Sequence, residues 1–124
     1  MEYEVLFNDN HFEVKLTGPP NVKDCDAYFE YLTSHKNWLP GSLVLSDETE
    51  LEIVHLTTAD IVGISEVCRQ ASEVVGTARF AAIVPEDLQY GLQRMLQGHV
   101  ELKWDATVVG FRSRKDALSW LLES

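Results

Sequence analysis

The spacing of apolar residues along this chain switches between a period of two and a period of about 3.6, and that switching decides which folds are open to it. Tyr3, Val5 and Phe7 alternate with Glu2, Glu4 and Leu6; beyond Asn8-Asp9-Asn10, Phe12, Val14 and Leu16 alternate with Glu13, Lys15 and Thr17. This pattern predicts a β-hairpin with one wet face, turning on residues that tolerate positive φ. Gly18-Pro19-Pro20 ends it, and from Asn21 the period is helical, with Val22, Cys25, Phe29 and Leu32 on one stripe. Asn21 is the predicted N-cap, and Asp24 falls in the first turn, where the helix dipole favours negative charge. Pro40-Gly41 closes this segment.

The alternation then repeats. Leu43-Val44-Leu45 is a short continuous apolar run, expected of a strand covered on both faces. The acidic stretch Asp47-Glu48-Thr49-Glu50-Leu51-Glu52 reads as a connection. It leads through Leu56-Thr57-Thr58-Ala59-Asp60 into a second helix carrying Ile61, Ile64, Cys68, Ala71 and Val75 and ending at Gly76. Thr57 or Thr58 is its cap and Asp60 its early acid. Phe80 to Val84 is another buried strand, and Pro85-Glu86-Asp87 begins a third helix with Leu88, Leu92, Met95 and Leu96. Val100 to Phe111 is the last strand, with an irregular start, and Ser113-Arg114-Lys115-Asp116 is a capping box opening a fourth helix through Ala117, Leu118, Leu121 and Leu122.

The predicted order is β-β-α-β-α-β-α-β-α. Such alternation implies parallel crossovers, a mostly parallel sheet of four to five strands with helices on its faces, and the first strand as an antiparallel edge. The expectation is one α/β domain over residues 1–124, a size at which an ordinary core forms without disulfides or metals. Cys25 and Cys68 sit at apolar helical positions and read as reduced, buried thiols. Together with Met1-Glu2-Tyr3-Glu4, which lacks a basic stretch before an apolar one, they lead us to expect a cytoplasmic protein without a signal peptide or membrane span.

With 10 basic against 20 acidic residues, a net charge of −10 disfavours nucleic acid and anionic membrane as partners. The acidity is one-sided. Residues 1–62 hold 3 basic and 12 acidic residues, and the remainder 7 and 8, so the C-terminal half can still meet an anionic molecule or an acidic partner.

The element order, with Val84-Pro85-Glu86-Asp87-Leu88-Gln89-Tyr90-Gly91-Leu92-Gln93-Arg94-Met95 and Phe111-Arg112-Ser113-Arg114-Lys115-Asp116-Ala117-Leu118-Ser119-Trp120-Leu121, resembles a known group. It is similar to small bacterial proteins related to anti-sigma-factor antagonist (STAS) domains and to the lipid-binding CRAL-TRIO domains, over almost the whole chain. The resemblance implies a STAS-like sheet with four helices and a non-catalytic binding or regulatory role. STAS antagonists carry a phosphorylatable Ser or Thr at the start of the second helix, in an Asp-Ser-Gly-like setting. The matching stretch here is Leu56-Thr57-Thr58-Ala59-Asp60, which has hydroxyls but no preceding acid and no following glycine. A phosphate there would meet the helix's positive end and also the Asp60 carboxylate, so capping is the preferred role of Thr57 and Thr58 and phosphorylation the minor one.

Catalytic chemistry finds no pattern to attach to. His11, His35, His55 and His99 lie in four separate segments without metal-ligand spacing; the acids at 47–52 lack the Gly-centred pattern of a Ca²⁺ loop. Nucleophile-elbow and phosphate-loop motifs do not occur, so no metal, no cofactor and no enzymatic activity are expected. Topology instead places a binding site beyond the carboxyl ends of the parallel strands, at helix N-termini. The candidate contacts are Thr57, Thr58, Asp60, Tyr90, Gly91, Arg94 and Arg112, with Asp47, Glu86, Asp87 and Ser113 on the same rim. Tyr28, Tyr31 and Trp38 widen the first helix's apolar face, which marks a partner surface, a homodimer seam or a membrane-facing lid if any of it is exposed, the acidic balance ranking protein contact above a lipid surface. The leading expectation is a module acting by protein–protein contact. A carrier of a small amphipathic or lipid-like ligand between sheet and helices comes second, and a hydrolytic or redox enzyme is a remote third.

Overall fold

Among the described residues five strands form one sheet in the order β1-β2-β3-β4-β5, with β1 (Glu2–Asn8) antiparallel to β2 (His11–Gly18) and every other neighbouring pair parallel. The computed structural model describes residues 1–53, 56–84 and 105–123. Among these, β3 (Leu43–Leu51), β4 (Arg79–Ile83) and β5 (Thr107–Phe111) alternate with helices α1 (Val22–Thr33), α2 (Thr58–Gln70), the single turn α3 (Ser72–Val75) and α4 (Arg114–Leu122). The third predicted helix, from Pro85 onward, lies outside the described residues.

The hairpin forms where the alternation puts it. Asn8 pairs with His11 across Asp9-Asn10, and Asp9 takes φ 57°, the left-handed conformation that Asp tolerates better than most residues. Phe12, Val14 and Leu16 are buried, and Glu2 and Glu4 face water. Exposed charge and buried hydrocarbon on alternate residues hold the register, because a one-residue slip would exchange the two faces.

Two apolar layers flank the sheet. On one side Phe12, Val14, Leu16, Val44 and Phe80 meet Tyr28 and Leu32 of α1 and Val75 of α3. On the other, Leu45, Ala81 and Ile83 meet Ala117 and Leu121 of α4. Successive residues Val44 and Leu45 thus serve opposite layers, as the continuous apolar run in β3 predicts. A third group, Cys25, Ile64 and Val67, seals α1 against α2. Gly63 lets those helices close up, since a Cβ there would lie 2.9 Å from Val22 Cγ2.

Three boundaries differ from the sequence reading. The acids from Asp47 to Glu50 are part of β3 rather than a connection: β2 pairs with this stretch as far as Leu51, and tertiary pairing overrides its weak strand propensity. α1 ends at Thr33, well before Pro40-Gly41, with Ser34 N–H returning to Glu30 O. Its buried stripe is Cys25, Tyr28 and Leu32, so Tyr28 replaces Phe29 at the centre and Val22 is exposed. The second helix is interrupted at Ala71 before finishing at Gly76, which takes φ 64°. The last strand runs from Thr107 with a bend at Asp105 and Ala106, in keeping with the irregular start expected of it, and residues 100–104 of the predicted strand lie outside the described residues.

Candidate functional site

The rim beyond the carboxyl ends of β3, β4 and β5 is where the parallel topology gathers helix N-termini and loop residues. α2 begins there with a reciprocal capping box. Thr57 Oγ1 accepts from Asp60 N–H at 3.1 Å, while Thr57 N–H donates to Asp60 Oδ2 at 2.9 Å. Those bonds hold the Asp60 carboxyl below its ordinary range, the backbone N–H of Thr57 contributing most. Thr57, Thr58 and Asp60 are all exposed. The Thr57 hydroxyl is therefore a working cap as well as a reachable one, and a phosphate on it would crowd the Asp60 carboxylate.

Arg112 follows β5 directly and is exposed, and Ser113 beside it caps α4 by accepting from Asp116 N–H at 3.2 Å. Arg114 then ties α4 to the sheet through Glu13 of β2, whose carboxylate also meets His11 Nε2 at 3.2 Å. The structure thus brings Thr57 and Asp60 together and sets Arg112 apart at the end of β5, with β4 between β5 and β3. Tyr90, Gly91 and Arg94, with Glu86 and Asp87, lie outside the described residues.

A second cluster was not visible in the pattern of the chain. At the end of the β2–β3 ladder the register shifts, so that the two-residue step from Lys15 to Thr17 faces a three-residue step from Asp47 to Glu50. The bulge places Glu48 half-buried on the same side as Ser46, whose hydroxyl donates to Glu48 Oε2 at 3.0 Å. Loss of water around the carboxyl pushes its pKa up to about 7, overcoming the lowering by Ser46. Its charge contributes to raising the pKa of Tyr28 and Cys25 of α1 and Cys68 of α2, in each case less than desolvation does.

Desolvation dominates all three of those groups as well. It pushes Cys25 up to about 11 and Cys68 up to about 12, and raises the Tyr28 phenol further. Both thiols are free, Cys25 buried and Cys68 half-covered. Held as thiols at neutral pH, they are poor nucleophiles and metal ligands. The signal that could have found Glu48 is its i, i+2 relation to Ser46 on a strand, which the density of acids around it obscured.

Among the described residues no group of three or more His, Cys, Asp or Glu side chains could hold a metal ion, and no helix is long and apolar enough to cross a membrane. A groove of about 450 Å³ lies over the β1–β2 hairpin, lined by Met1, Glu2, Tyr3, Glu4, Lys15 and Thr17, where Glu2 pairs with Thr17 and Glu4 with Lys15.

No family model matches the sequence, and no curated protein matches it. A solved structure does: an uncharacterised protein of the DUF3478 family with a SpoIIAA-like fold, from Shewanella loihica PV-4. It superposes with a TM-score of 0.63 at 19% identity, covering 97% of this chain and 92% of that one. The chain has a SpoIIAA-like, that is STAS-like, α/β fold.

Proposed function

We propose that this chain is a non-catalytic regulatory module that acts by protein–protein contact through the rim at the start of α2 and the β5–α4 connection. The observation that carries this reading is a SpoIIAA-like fold matched along 97% of the chain, with the N-terminal turn of α2 presented to solvent at that rim. Thr57, Thr58, Asp60 and Arg112 are its described contacts, and Tyr90, Gly91 and Arg94 are assigned to the same surface from the sequence. The raised pKa values of Cys25 and Cys68 support a role without nucleophilic chemistry.

Charge sets the kind of partner. The rim carries an acid, Asp60, at the start of α2 and, apart from it at the end of β5, an arginine, Arg112, so it suits a polar protein surface better than a bilayer. Phosphorylation of Thr58, which is exposed and outside the capping box, is the form of regulation that leaves the helix cap intact. The test is a partner captured from the native host by the full chain, then titrated as a purified protein against wild type, Arg112→Glu and Thr58→Glu. Weakening of at least about tenfold in either variant, with an unchanged melting curve, is the expected result. Equal binding by wild type, both variants and Tyr90→Ala/Arg94→Ala would remove the rim from consideration.

A further inference from the structure

We infer that the outer edge of β1 is a self-complementary interface through which two copies of this chain join their sheets. Among the described residues β1 is the end strand of the sheet, and its ladder with β2 runs unbroken from Glu2 to Asn8. It carries no proline and no bulge, two of the devices that ordinarily blunt an edge. Because Asn8 and His11 close a two-residue turn, they form a hydrogen-bonded pair, and the alternation leaves Tyr3, Val5 and Phe7 with backbone groups aimed outward.

The side chains say which strand fits. A twofold axis must pair β1 with its own copy antiparallel. Centred on Val5, that pairing sets Tyr3 against the partner's Phe7, Glu4 against the partner's Leu6, and Glu2 against the partner's Asn8. It engages all three outward-facing residues, for about six backbone hydrogen bonds across the axis. Sliding the centre to position 4 puts Glu4 opposite its own copy, and to position 3 puts Glu2 opposite Glu4. Sliding it toward the turn runs the strand off its end. Only the Val5-centred register keeps like charges from facing each other directly while using the full strand.

Exposed hydrocarbon lies along the same edge. Leu6 is 69% exposed and Phe7 37%. On the helical side Tyr3 packs against Tyr31, their ring centroids 5.6 Å apart, and Tyr31 is 52% exposed. The apolar surface expected beside the first helix is thus continuous with the strand edge. In the pairing, Leu6 covers the methylene stem of the partner's Glu4. Lys15, the cross-strand neighbour of Glu4, pairs with Glu50 at 2.5 Å and feels Glu4 only weakly, so the two Glu4 carboxylates approach diagonally rather than directly.

The inference uses the hairpin edge alone, so its failure is separable from failure of the rim reading. It is tested by sedimentation velocity of the full chain over a range of concentrations, with Leu6→Glu and Leu6→Lys. Both changes fall on an exposed side chain. Leu6→Glu places two new carboxylates against the partner's Glu4 residues and raises the dimer Kd at least about tenfold, whereas Leu6→Lys places two ammonium groups there and leaves the dimer as tight or tighter. A wild-type chain that stays monomeric at about 100 µM overturns the inference. So does a dimer that both variants weaken alike, or that neither affects.

Discussion

Replacing Glu48 with Gln should make the protein more stable above neutral pH and leave it nearly unchanged in acid. In the native state the Glu48 carboxyl titrates near pH 7, whereas in the unfolded chain it returns to about its ordinary 4.5. The folded protein therefore holds a proton that the unfolded chain has already lost between those two values. Stability contributed by this site is fully present below about pH 4.5, declines as pH rises, and is gone above about 7. At ~1.4 kcal/mol per pH unit the full difference is worth about 3 kcal/mol, reduced toward about 2 by the water that still reaches a half-buried side chain. Glutamine keeps an oxygen for the Ser46 hydroxyl and carries no charge, so it removes the pH dependence without opening a cavity. Urea denaturation of both proteins from pH 4 to pH 8, read as the difference between them, isolates this site from the other titrating groups. The reasoning predicts a gap of about 2 to 3 kcal/mol at pH 8 in favour of the variant, closing to within about 1 at pH 4. A gap that does not change with pH, or that favours wild type at pH 8, would show that the Glu48 carboxyl is not held in a desolvated site.

Three further outcomes follow from the same geometry. Thr57→Ala removes the side-chain half of the α2 capping box and should lower stability by about 1 kcal/mol in urea titration, with Thr58→Ala costing much less. Cys25 and Cys68 should react with a thiol reagent at pH 8 on the order of 100-fold more slowly in the native protein than in the unfolded chain, since both are held as thiols; rapid native labelling would contradict their raised pKa values. Phe12→Ala should cost about 3 to 5 kcal/mol by thermal or chemical denaturation, because Phe12 is fully buried and its ring meets Phe7, His35 and Trp38.

Much of the architecture was legible because local chemistry and tertiary packing agree. The hairpin shows in the alternation of Tyr3-Val5-Phe7 and Phe12-Val14-Leu16, and its turn in a residue, Asp9, that accepts positive φ. Thr57, Asp60 and Ser113 announce helix starts by side-chain chemistry alone, and the structure uses each of them as a cap or capping partner. What failed to show were features imposed by neighbours in space. The acids of β3 read as a solvated connection, since strand pairing with β2 is not a property of their own sequence. Glu48 was hidden for the same reason: a bulge and a helical cover, contributed by other segments, turn one acid among several into a half-buried carboxyl with an elevated pKa. Tyr28 displaced Phe29 at the centre of the α1 stripe because the docking angle of a helix, unlike its periodicity, is fixed by the sheet beneath it. Of the candidate site, the caps at α2 and α4 were readable from the chain, but the clustering of Ser46, Glu48, Tyr28 and the two cysteines was not.

Native mass spectrometry of the full chain, purified gently from its own host, bears most directly on the proposed role. A regulatory module acting through protein contact should appear in a complex with a second protein, and its subunits should carry no non-covalently bound small molecule, a phosphate on Thr58 being the one addition the account allows. The same chain arriving as free protein, each subunit carrying a small amphipathic molecule at near-full occupancy, would contradict that account and make it a carrier.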